Sequence, residues 1–464
     1  MRGIWTTEEI RAAERRVMAG LPAGALMARA ARAVAVTACG LLGFSYGARV
    51  LLLIGAGDNG GDALYAGAEL ARRGVAVQAV LATEKTSPAP LAAFRAAGGR
   101  VVPLAGAAPA DLVIDGLVGI GVRGPLREPM LPLVAHARDR RVLAVDLPSG
   151  VDPNTGAVAG PAVTAEVTVC LGAYKPGLLV GPGRLHAGRI HLVDLGIAGE
   201  LGEPALRQLE PADVAVKQPG PTDDKYTRGV VGVAAGSAAY PGAALLCTGA
   251  ARLGGVGAVR YAGHAAAEVV RRHPEVLVTD TVAAAGRVQA WTVGPGLGDG
   301  PDAVASLEAA LGADVPVVVD ADGLNLLAER REWLERRTAP TVLTPHDREY
   351  ERLFGEVGDD RIAAARRAAE QSGAVVLLKG YATVVAEPDG TGYLNPTGEP
   401  ALATAGSGDV LAGLTGSLLA TGLRPGLAAA MAAYLHGRAA ARAALEGPVV
   451  AGHLVAALRA ELAA

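Results

Sequence analysis

The sequence predicts an α/β protein made of two doubly wound domains, and three observations support that prediction. Short apolar runs such as Arg49–Ile54 end in glycine, as buried parallel strands do. Helical stretches separate most of these runs, and strand–helix alternation of this kind builds a doubly wound sheet. The alternation stops at 209–224, where three Pro and several acids indicate a linker, and then restarts. We therefore expect domains at 1–212 and 213–464.

The individual elements follow from the same patterns. A helical pattern runs from Thr6 to about Leu42, and Thr6 with Glu9 forms a capping box at its start. Strands are predicted in the first domain at 49–54, 75–81, 112–115, 142–146, 167–171 and 189–194. Strands are predicted in the second domain at 229–234, 258–261, 290–293, 315–319, 341–344, 374–379 and 382–386. The final segment, 410–464, is predicted to be mostly helical.

Composition excludes several classes of function. The net charge of −3 argues against a general nucleic-acid binder, which would carry a basic stripe. Three Cys at long, irregular spacing form neither a disulfide framework nor a zinc site. The first residues lack the apolar core of a signal peptide. The best candidate for a membrane span, Val410–Leu423, is too short and too rich in Gly. We expect a cytoplasmic protein without membrane or nucleic-acid partners, and its Ala-rich surfaces favour a homo-oligomer.

Three Gly-rich or acidic turns follow predicted strands of the first domain. They are Gly55–Asp62, Asp115–Pro125 and Asp146–Gly150. Because ligand crevices of parallel sheets lie at the carboxyl ends of strands, all three turns can line one pocket.

The side chains of these turns suggest a chemistry for that pocket. Asn59, Asp115 and Ser149 offer hard oxygen ligands for an alkali or alkaline-earth ion. Asp146 can act as an acid or a base. The alternative is that these acids only cap helices.

The most informative motif of the second domain is the run of small residues at 403–411, which opens a long apolar helix. Small residues leave the backbone N–H groups of a helix start free to bind phosphate. Asp409 lies in the same turn, close enough to take a proton from a hydroxyl. This combination suggests phosphoryl transfer to an alcohol. The alternative is an ordinary Gly-rich turn capped by Asp409.

Further motifs lie at predicted strand ends of the second domain, so they can converge on one crevice. They are Lys225–Ser237, Val293–Gly298, Asp320–Asn325, Leu343–Glu349 and Leu378–Thr383. Only five of the 43 basic residues are Lys. A Lys kept inside a Gly-rich motif is therefore expected to serve as a compact ammonium, and Lys175, Lys225 and Lys379 meet that description.

Taken together, the three turns of the first domain and the run Tyr174–Gly183 resemble the NAD(P)H-hydrate epimerase domain, across most of residues 1–205. The resemblance implies a Rossmann-like domain that interconverts two configurations at the hydrated nicotinamide carbon. It implies a K⁺ site at Asn59, Asp115 and Ser149. It implies hydrate contacts at Asp58, Asn59, Gly60, Gly61, Asp62, Gly119, Ile120, Gly121, Val122, Arg123, Gly124, Pro125 and Asp146. Asp58 and Ile120 depart from the residues that are frequent at their positions in the family.

The order and spacing of the second set of motifs resemble a ribokinase-like fold, in its ADP-dependent NAD(P)H-hydrate dehydratase branch, across roughly 220–464. The resemblance implies ADP and Mg²⁺ as cofactors, with Asp409 reaching the hydrate as the base. It implies hydrate contacts at Ala243, Gly296 and His346, and nucleotide contacts at Lys379, Gly380, Tyr381, Ala382, Thr383 and Gly408. His346 has a simpler alternative, which is to cap the helix that follows it.

Two alternatives to a bifunctional repair enzyme stay open at this point. The second domain suits a small-metabolite kinase of the vitamin or sugar type, since such an enzyme uses the same base and anion-binding turn. The first domain suits a nucleotide-sensing module without catalysis.

Overall fold

A computed structural model of the chain describes residues 1–121, 124–216 and 218–463; the predicted hydrate contacts at Val122 and Arg123 lie outside these ranges. The described residues form two compact units, Gly3–Ala205 and Leu206–Ala464, the latter together with Met1–Arg2. Each unit is built on a mostly parallel sheet, which confirms the predicted fold class.

The first unit carries seven strands in the order β4-β3-β2-β5-β6-β7-β8, all parallel. After β1 (Arg2–Ile4), which crosses the division between the units, its strands are β2 (Arg49–Ile54), β3 (Ala76–Leu81), β4 (Arg100–Val101), β5 (Leu112–Gly116), β6 (Val142–Val145), β7 (Val167–Leu171) and β8 (Arg189–Val193). Its helices are α1 (Thr7–Met18), α2 (Ala25–Leu42), α3 (Asp58–Arg72), α4 (Pro88–Ala96), α5 (Leu131–Ala137) and α6 (Gly183–Ala187). Successive strands are added toward one edge of the sheet from β2 to β4 and toward the other edge from β5 to β8, and such a switch point between β2 and β5 opens a crevice for a ligand.

The expected single helical pattern from Thr6 to Leu42 is wrong in one respect, since two helices replace it. α1 ends at Met18 and α2 begins at Ala25. Between them lie Pro22, which cannot extend a helix, and Gly24, whose φ of 79° is left-handed. The predicted capping box at Thr6 and Glu9 is confirmed.

The helix α2 is long and apolar enough to cross a membrane by length and composition. The expectation that Val410–Leu423 is the best candidate for a membrane span is therefore wrong. One face of α2 is buried in the core of the first unit through Ala31, Val34 and Ala38, and core helices of soluble proteins pass the same test.

The second unit orders its strands β9-β18-β17-β16-β15-β14-β13-β10-β11-β12, and β17 is antiparallel to both its neighbours. These strands are β9 (Leu206–Gln208), β10 (Val230–Ala234), β11 (Ala258–Ala262), β12 (Leu277–Thr279), β13 (Ala290–Val293), β14 (Val317–Val319), β15 (Thr341–Leu343), β16 (Val375–Leu378), β17 (Val384–Ala386) and β18 (Gly392–Leu394). Its helices are α7 (Pro241–Ala251), α8 (Ala266–Arg272), α9 (Pro301–Gly312), α10 (Asp322–Ala328), α11 (Glu332–Glu335), α12 (Asp347–Phe354), α13 (Arg361–Ser372), α14 (Ser407–Ala420), α15 (Pro425–Ala444) and α16 (Ala451–Glu461). The order in which strands are added across this sheet reverses between β10 and β13, so the switch point of the second unit lies there.

The helix α14 is the central helix of the second unit, and every residue from Val410 to Ala420 is buried. Its glycines let backbones approach closely. A Cβ atom at Gly413 would lie 2.1 Å from the carbonyl oxygen of Cys247 in α7, and one at Gly416 would lie 1.9 Å from Thr292 Oγ1 in β13. These contacts hold the start of α14 at the strand edge where the sequence motifs converge.

Replacing Gly413 by Ala is expected to destabilise the second unit by about 1–3 kcal/mol, because the added methyl group overpacks a rigid backbone contact. Gly452→Ala is the matched control. Gly452 lies at an exposed position of α16, and no atom lies within 4 Å of its Cβ position. There the substitution should stabilise by about 0.5–1 kcal/mol, as Ala favours helix over Gly. Urea denaturation of the two variants measures both effects, and equal stabilities would contradict the packing argument.

Candidate active sites

The first unit contains a cavity of about 750 Å³ at the switch point of its sheet. Helix α1, the loop that follows it, and the ends of β2, β5 and β6 form its walls. The predicted hydrate contacts that line it are Asp58, Asn59, Asp62, Gly119, Ile120, Gly121 and Asp146.

The other predicted residues of this site lie behind the cavity surface. Asp115 and Ser149 are fully buried beneath the lining, and Gly60 and Gly61 are buried in α3. Gly124 and Pro125 do not line the cavity within the described residues. The Gly-rich turn is shorter than the motif indicates, because α3 already begins at Asp58. The cavity therefore receives the positive end of a helix dipole.

A buried network of oxygen atoms lies under the cavity. Asp115 Oδ1 accepts a hydrogen bond from Ser149 Oγ at 2.7 Å, and Asp115 Oδ2 accepts one from Ser149 N at 2.8 Å. Asn59 Nδ2 donates to the carbonyl oxygens of Val118 at 2.9 Å and Val145 at 2.6 Å. Asp115 and Ser149 thus bond directly, and Asn59 is linked to them through Val118, whose N–H group donates to Ser149 Oγ at 3.1 Å.

The electrostatics of Asp115 fit a cation. Burial raises the pKa of Asp115 to about 6, and the hydrogen bonds from Ser149 and Leu117 only partly oppose that rise. No Lys, Arg or His within the described residues forms a salt bridge with this carboxylate. A hard, weakly hydrated cation with oxygen ligands would supply the missing positive charge.

Asp146 is held by a buried ion pair. Lys175 Nζ bonds to Asp146 Oδ1 and to the carbonyl oxygen of Leu171, and the two charged side chains are only 1% and 7% exposed. Although burial acts to lower the pKa of Lys175, the Asp146 carboxylate raises it overall. Asp146 also adopts a φ of 66°, a backbone conformation that non-glycine residues adopt mainly where function or surroundings impose it.

Two further acids at the cavity hold their protons more tightly than usual. Burial, followed by the charge of Asp146, raises the pKa of Asp62 well above its ordinary value. Burial and Asp146 also raise the pKa of Glu14, against the opposing charges of Lys175 and Arg11. The cavity therefore combines an ion-paired carboxylate with carboxyl groups that favour the protonated form.

In the second unit, the small-residue motif forms the first turn of α14. Gly406 precedes the helix with a φ of 83°, which favours glycine, and α14 begins at Ser407. Asp409 lies in that first turn. Burial, and then the neighbouring Asp320, raise the pKa of Asp409 to about 7, while Lys379 opposes the rise.

Lys379 connects the motifs around this turn. Its Nζ atom lies 2.7 Å from Asp320 Oδ1 and 3.5 Å from Glu349 Oε2. Thr344 Oγ1 donates to the same Asp320 oxygen at 2.8 Å. A Cβ atom at Gly408 would lie 3.6 Å from Lys379 Nζ, so the ammonium lies against the first turn of α14. Burial acts to lower the pKa of Lys379, yet Asp320 and Glu349 raise it overall.

The remaining predicted contacts of the second unit occupy neighbouring strand ends. His346 caps α12, as the alternative proposed, in a reciprocal capping box with Glu349. Ala243 lies in the first turn of α7, and its Cβ atom would lie 2.6 Å from one added at Gly296. The predicted nucleotide contacts Lys379, Gly380, Tyr381, Ala382 and Thr383 form the connection between β16 and β17.

The sequence did not reveal the roles of three residues near these sites. Asp320 lies in a predicted motif without an assigned role, although an acid directly after a buried strand is a usable signal. Lys175 was singled out for its residue type, but its partner could not be read from the spacing. Glu14 gave no signal, because helical pattern alone does not reveal which loops a helix will face.

Transition metals need clusters of several side-chain ligands. Within the described residues, no group of three or more His, Cys, Asp or Glu side chains is placed to hold a metal ion.

Comparison with known proteins covers both units. Residues 23–177 match the family model of the YjeF-related protein N-terminus, and residues 231–460 match that of NAD(P)H-hydrate dehydratase. The bifunctional NAD(P)H-hydrate repair enzyme Nnr of Mycobacterium tuberculosis is 51% identical, over 93% of this chain and 92% of its own length. The enzyme of the same name from Gloeobacter violaceus is 41% identical, over 91% of this chain and 89% of its own.

A solved structure supports the fold of the second unit. A ribokinase-like superfamily protein from Enterococcus faecalis aligns with a TM-score of 0.51 and 24% identity, covering 57% of this chain and 97% of its own. At this identity the likeness concerns the fold alone.

Lys175→Met is expected to lower the free energy of unfolding of the first unit by about 3–5 kcal/mol, because it leaves the buried Asp146 carboxylate without its partner. Lys85→Met is the control, since Lys85 is exposed in a loop. Urea denaturation measures both. A double variant that also carries Asp146→Asn should recover part of the loss, and a purely additive double variant would contradict the pairing.

Proposed function

Because the chain belongs to the family of bifunctional NAD(P)H-hydrate repair enzymes, we propose how its two units divide that repair. The first unit interconverts the R and S hydrates of NADH and NADPH. The second unit dehydrates the S hydrate to NAD(P)H with the help of ADP. The observation that carries this assignment is the placement of Asp409 in the first turn of α14, beside Lys379.

Dehydration proceeds in the second unit by activation of a poor leaving group. The hydrate carries a hydroxyl group next to the ring nitrogen, and hydroxide leaves poorly whereas phosphate leaves well. Asp409 takes the hydroxyl proton while the oxygen attacks the terminal phosphorus of ADP, and the bond from that phosphorus to the bridging oxygen breaks so that AMP leaves. Backbone N–H groups at 405–408 stabilise the charge of the phosphoryl group in transit. The lone pair of the ring nitrogen then expels phosphate to form an iminium ion, and loss of a proton from the neighbouring ring carbon restores the dihydropyridine.

The side chains around Asp409 suit a nucleotide and a divalent cation. Lys379 presents a compact ammonium to the phosphates, and the connection between β16 and β17 supplies the nucleotide contacts Lys379–Thr383. Asp320 and Glu349 are the acids available to Mg²⁺, which is usually bound by one or two carboxylates together with phosphate oxygens. When bound, Mg²⁺ neutralises charge that develops on the phosphates.

Epimerisation takes place in the cavity of the first unit. We assign hydrate contacts to Asp58–Asp62 and Gly119–Pro125, and acid–base chemistry to Asp146. The ion pair with Lys175 keeps Asp146 oriented at the cavity surface. Asn59, Asp115 and Ser149 hold K⁺ under the cavity. The buried carboxylate of Asp115, which forms no salt bridge within the described residues, supports this site.

Family membership favours repair over the two alternatives, a small-metabolite kinase and a sensing module. The relatives named above match over about nine-tenths of this chain, so the match spans both units, as repair by two joined enzymes requires. A homo-oligomeric state and a cytoplasmic location stay predictions.

Asp409→Asn is expected to lower kcat for ADP-dependent dehydration by about 10²–10⁴-fold, because the variant cannot accept the hydroxyl proton. The absorbance of regenerated dihydronicotinamide measures the rate. Asp302→Asn is the control, since Asp302 is exposed at the start of α9. Full turnover in Asp409→Asn would exclude Asp409 as the base, and an intact phosphorylated alcohol as product would favour the kinase alternative.

The pH profile of dehydration should reflect the raised pKa of Asp409, which is about 7. A base must be deprotonated to act, so kcat/KM is expected to rise with pH through about 7 and then level off. Below that value the rate should fall tenfold per pH unit. A profile that stays flat from about pH 6 to about pH 8 would contradict the assignment.

Replacing K⁺ by Li⁺ at equal ionic strength is expected to lower the melting temperature of the first unit and its epimerase rate. A ligand at about 100 times its dissociation constant stabilises by about 2.7 kcal/mol. Asp115→Asn should abolish the difference between the two salts, whereas the exposed Asp139→Asn should retain it. Equal melting temperatures of the wild-type protein in both salts would refute the K⁺ site.

A further inference from the structure

Helix α1 contributes an acid to the cavity of the first unit that none of the strand-end motifs contains. Arg11, Glu14 and Met18 line the cavity, and their spacing of three and four residues places them on one face of α1. Ile10 and Ala13 are fully buried and fix the rotation of the helix. The capping box at Thr6 fixes its start. Glu14 is therefore held at the cavity by the packing of its helix.

The charged groups that face Glu14 come from three other parts of the unit. They are Asp58 and Asp62 of α3, Asp146 after β6 and Lys175 after β7, together with Arg11 of α1 itself. Asp146 has Lys175 as an ionic partner, whereas Glu14 forms no salt bridge within the described residues. Burial and the charge of Asp146 raise the pKa of Glu14. One carboxyl group of the cavity thus has a buried ammonium as its partner and the other has none, and such a difference in surroundings is the pattern of a base and an acid.

The chemistry of epimerisation needs such a pair. The configuration at the hydrated carbon inverts when its carbon–oxygen bond breaks and forms again from the other face, a route that the neighbouring ring nitrogen assists with its lone pair. One group must protonate the departing hydroxyl, and another must accept a proton from the water that adds.

We propose that Glu14 is the proton donor of the epimerase reaction and works with Asp146 from a different wall of the cavity. This inference rests on the function proposed for the first unit and extends it to a residue outside the strand-end turns.

The proposed step is balanced in atoms and electrons. Glu14 transfers its carboxyl proton to the hydroxyl oxygen, and the carbon–oxygen bond breaks with its electron pair leaving on water. The lone pair of the ring nitrogen forms a carbon–nitrogen double bond. Water then adds to the opposite face with its own electron pair, and its surplus proton passes to Asp146. Proton exchange through water returns that proton to Glu14, so no oxidant or reductant is needed.

The test uses the full chain without ADP, so that dehydration does not remove either hydrate. Conversion of the purified R hydrate to the S hydrate is followed by chromatography, with the spontaneous rate subtracted. Glu14→Gln is expected to lower kcat for epimerisation about 100-fold and to leave KM nearly unchanged, because it keeps the shape but not the proton. Glu14→Asp should retain part of the rate.

The pH dependence separates an acid from a residue that only shapes the cavity. Because an acid must be protonated, the wild-type rate should fall as pH rises through the raised pKa of Glu14. Glu14→Gln should lose this alkaline limb, and in Glu14→Asp the limb should move. The control Glu8→Gln, at an exposed position on the same helix, should behave as wild type. Thermal unfolding of each variant verifies that the first unit is folded.

The possible failures are distinguishable. A wild-type rate in Glu14→Gln with an inactive Asp146→Asn overturns the role of Glu14 but keeps the proposed epimerase site. An unchanged alkaline limb in Glu14→Gln also overturns it. A wild-type rate in Asp146→Asn instead overturns the proposed site itself. Dehydration of the S hydrate with ADP should proceed at the same rate in every one of these variants.

Discussion

An ammonium group paired with a buried strand-end carboxylate lies at each candidate site. Lys175 neutralises Asp146 in the first sheet, and Lys379 neutralises Asp320 in the second. Removing two charges from water is costly, so each pair depends on good geometry and added hydrogen bonds, here from the Leu171 N–H group and from Thr344. Further acids stand near each pair, and burial together with the paired carboxylate raises their pKa values. Without the two ammonium groups, the carboxylates around each site would repel one another more strongly.

The two sites share an origin in sheet topology although their chemistry differs. In both units the order in which strands are added across the sheet reverses beside a central strand, and a crevice opens there. In the first unit α1 forms one wall of the cavity at this gap. In the second unit the start of α14 supplies amide groups and a carboxylate from a single turn. The same architecture can therefore carry the two different steps proposed above, proton transfer at one site and phosphoryl transfer at the other.

The thirteen predicted strands match observed strands to within two residues, because buried parallel strands read as short apolar runs with clear ends. The residues at strand ends were predictable for the same reason. Five observed strands, β1, β4, β9, β12 and β18, were not predicted, because each has only two or three residues and forms no such run. The break between α1 and α2 was missed, although Pro22 and Gly24 signal it, because the surrounding apolar periodicity dominated the interpretation. The start of α3 at Asp58 was missed because glycines resemble a loop until packing of the helix favours it. Glu14 and the partners of both lysines depend on contacts across more than 25 residues, which local patterns cannot reveal.

The close packing of α14 at Gly413 and Gly416 has a consequence for how the second unit binds a nucleotide. Gly413 lies against the backbone of Cys247 in α7, and Gly416 lies against the side chain of Thr292 in β13, so both neighbours restrict the position of the helix. Its amide groups are therefore aimed before any ligand arrives, and little reorganisation energy is needed when charge develops. Close packing in the core of the unit thus keeps the amide groups of the site in position for the reaction.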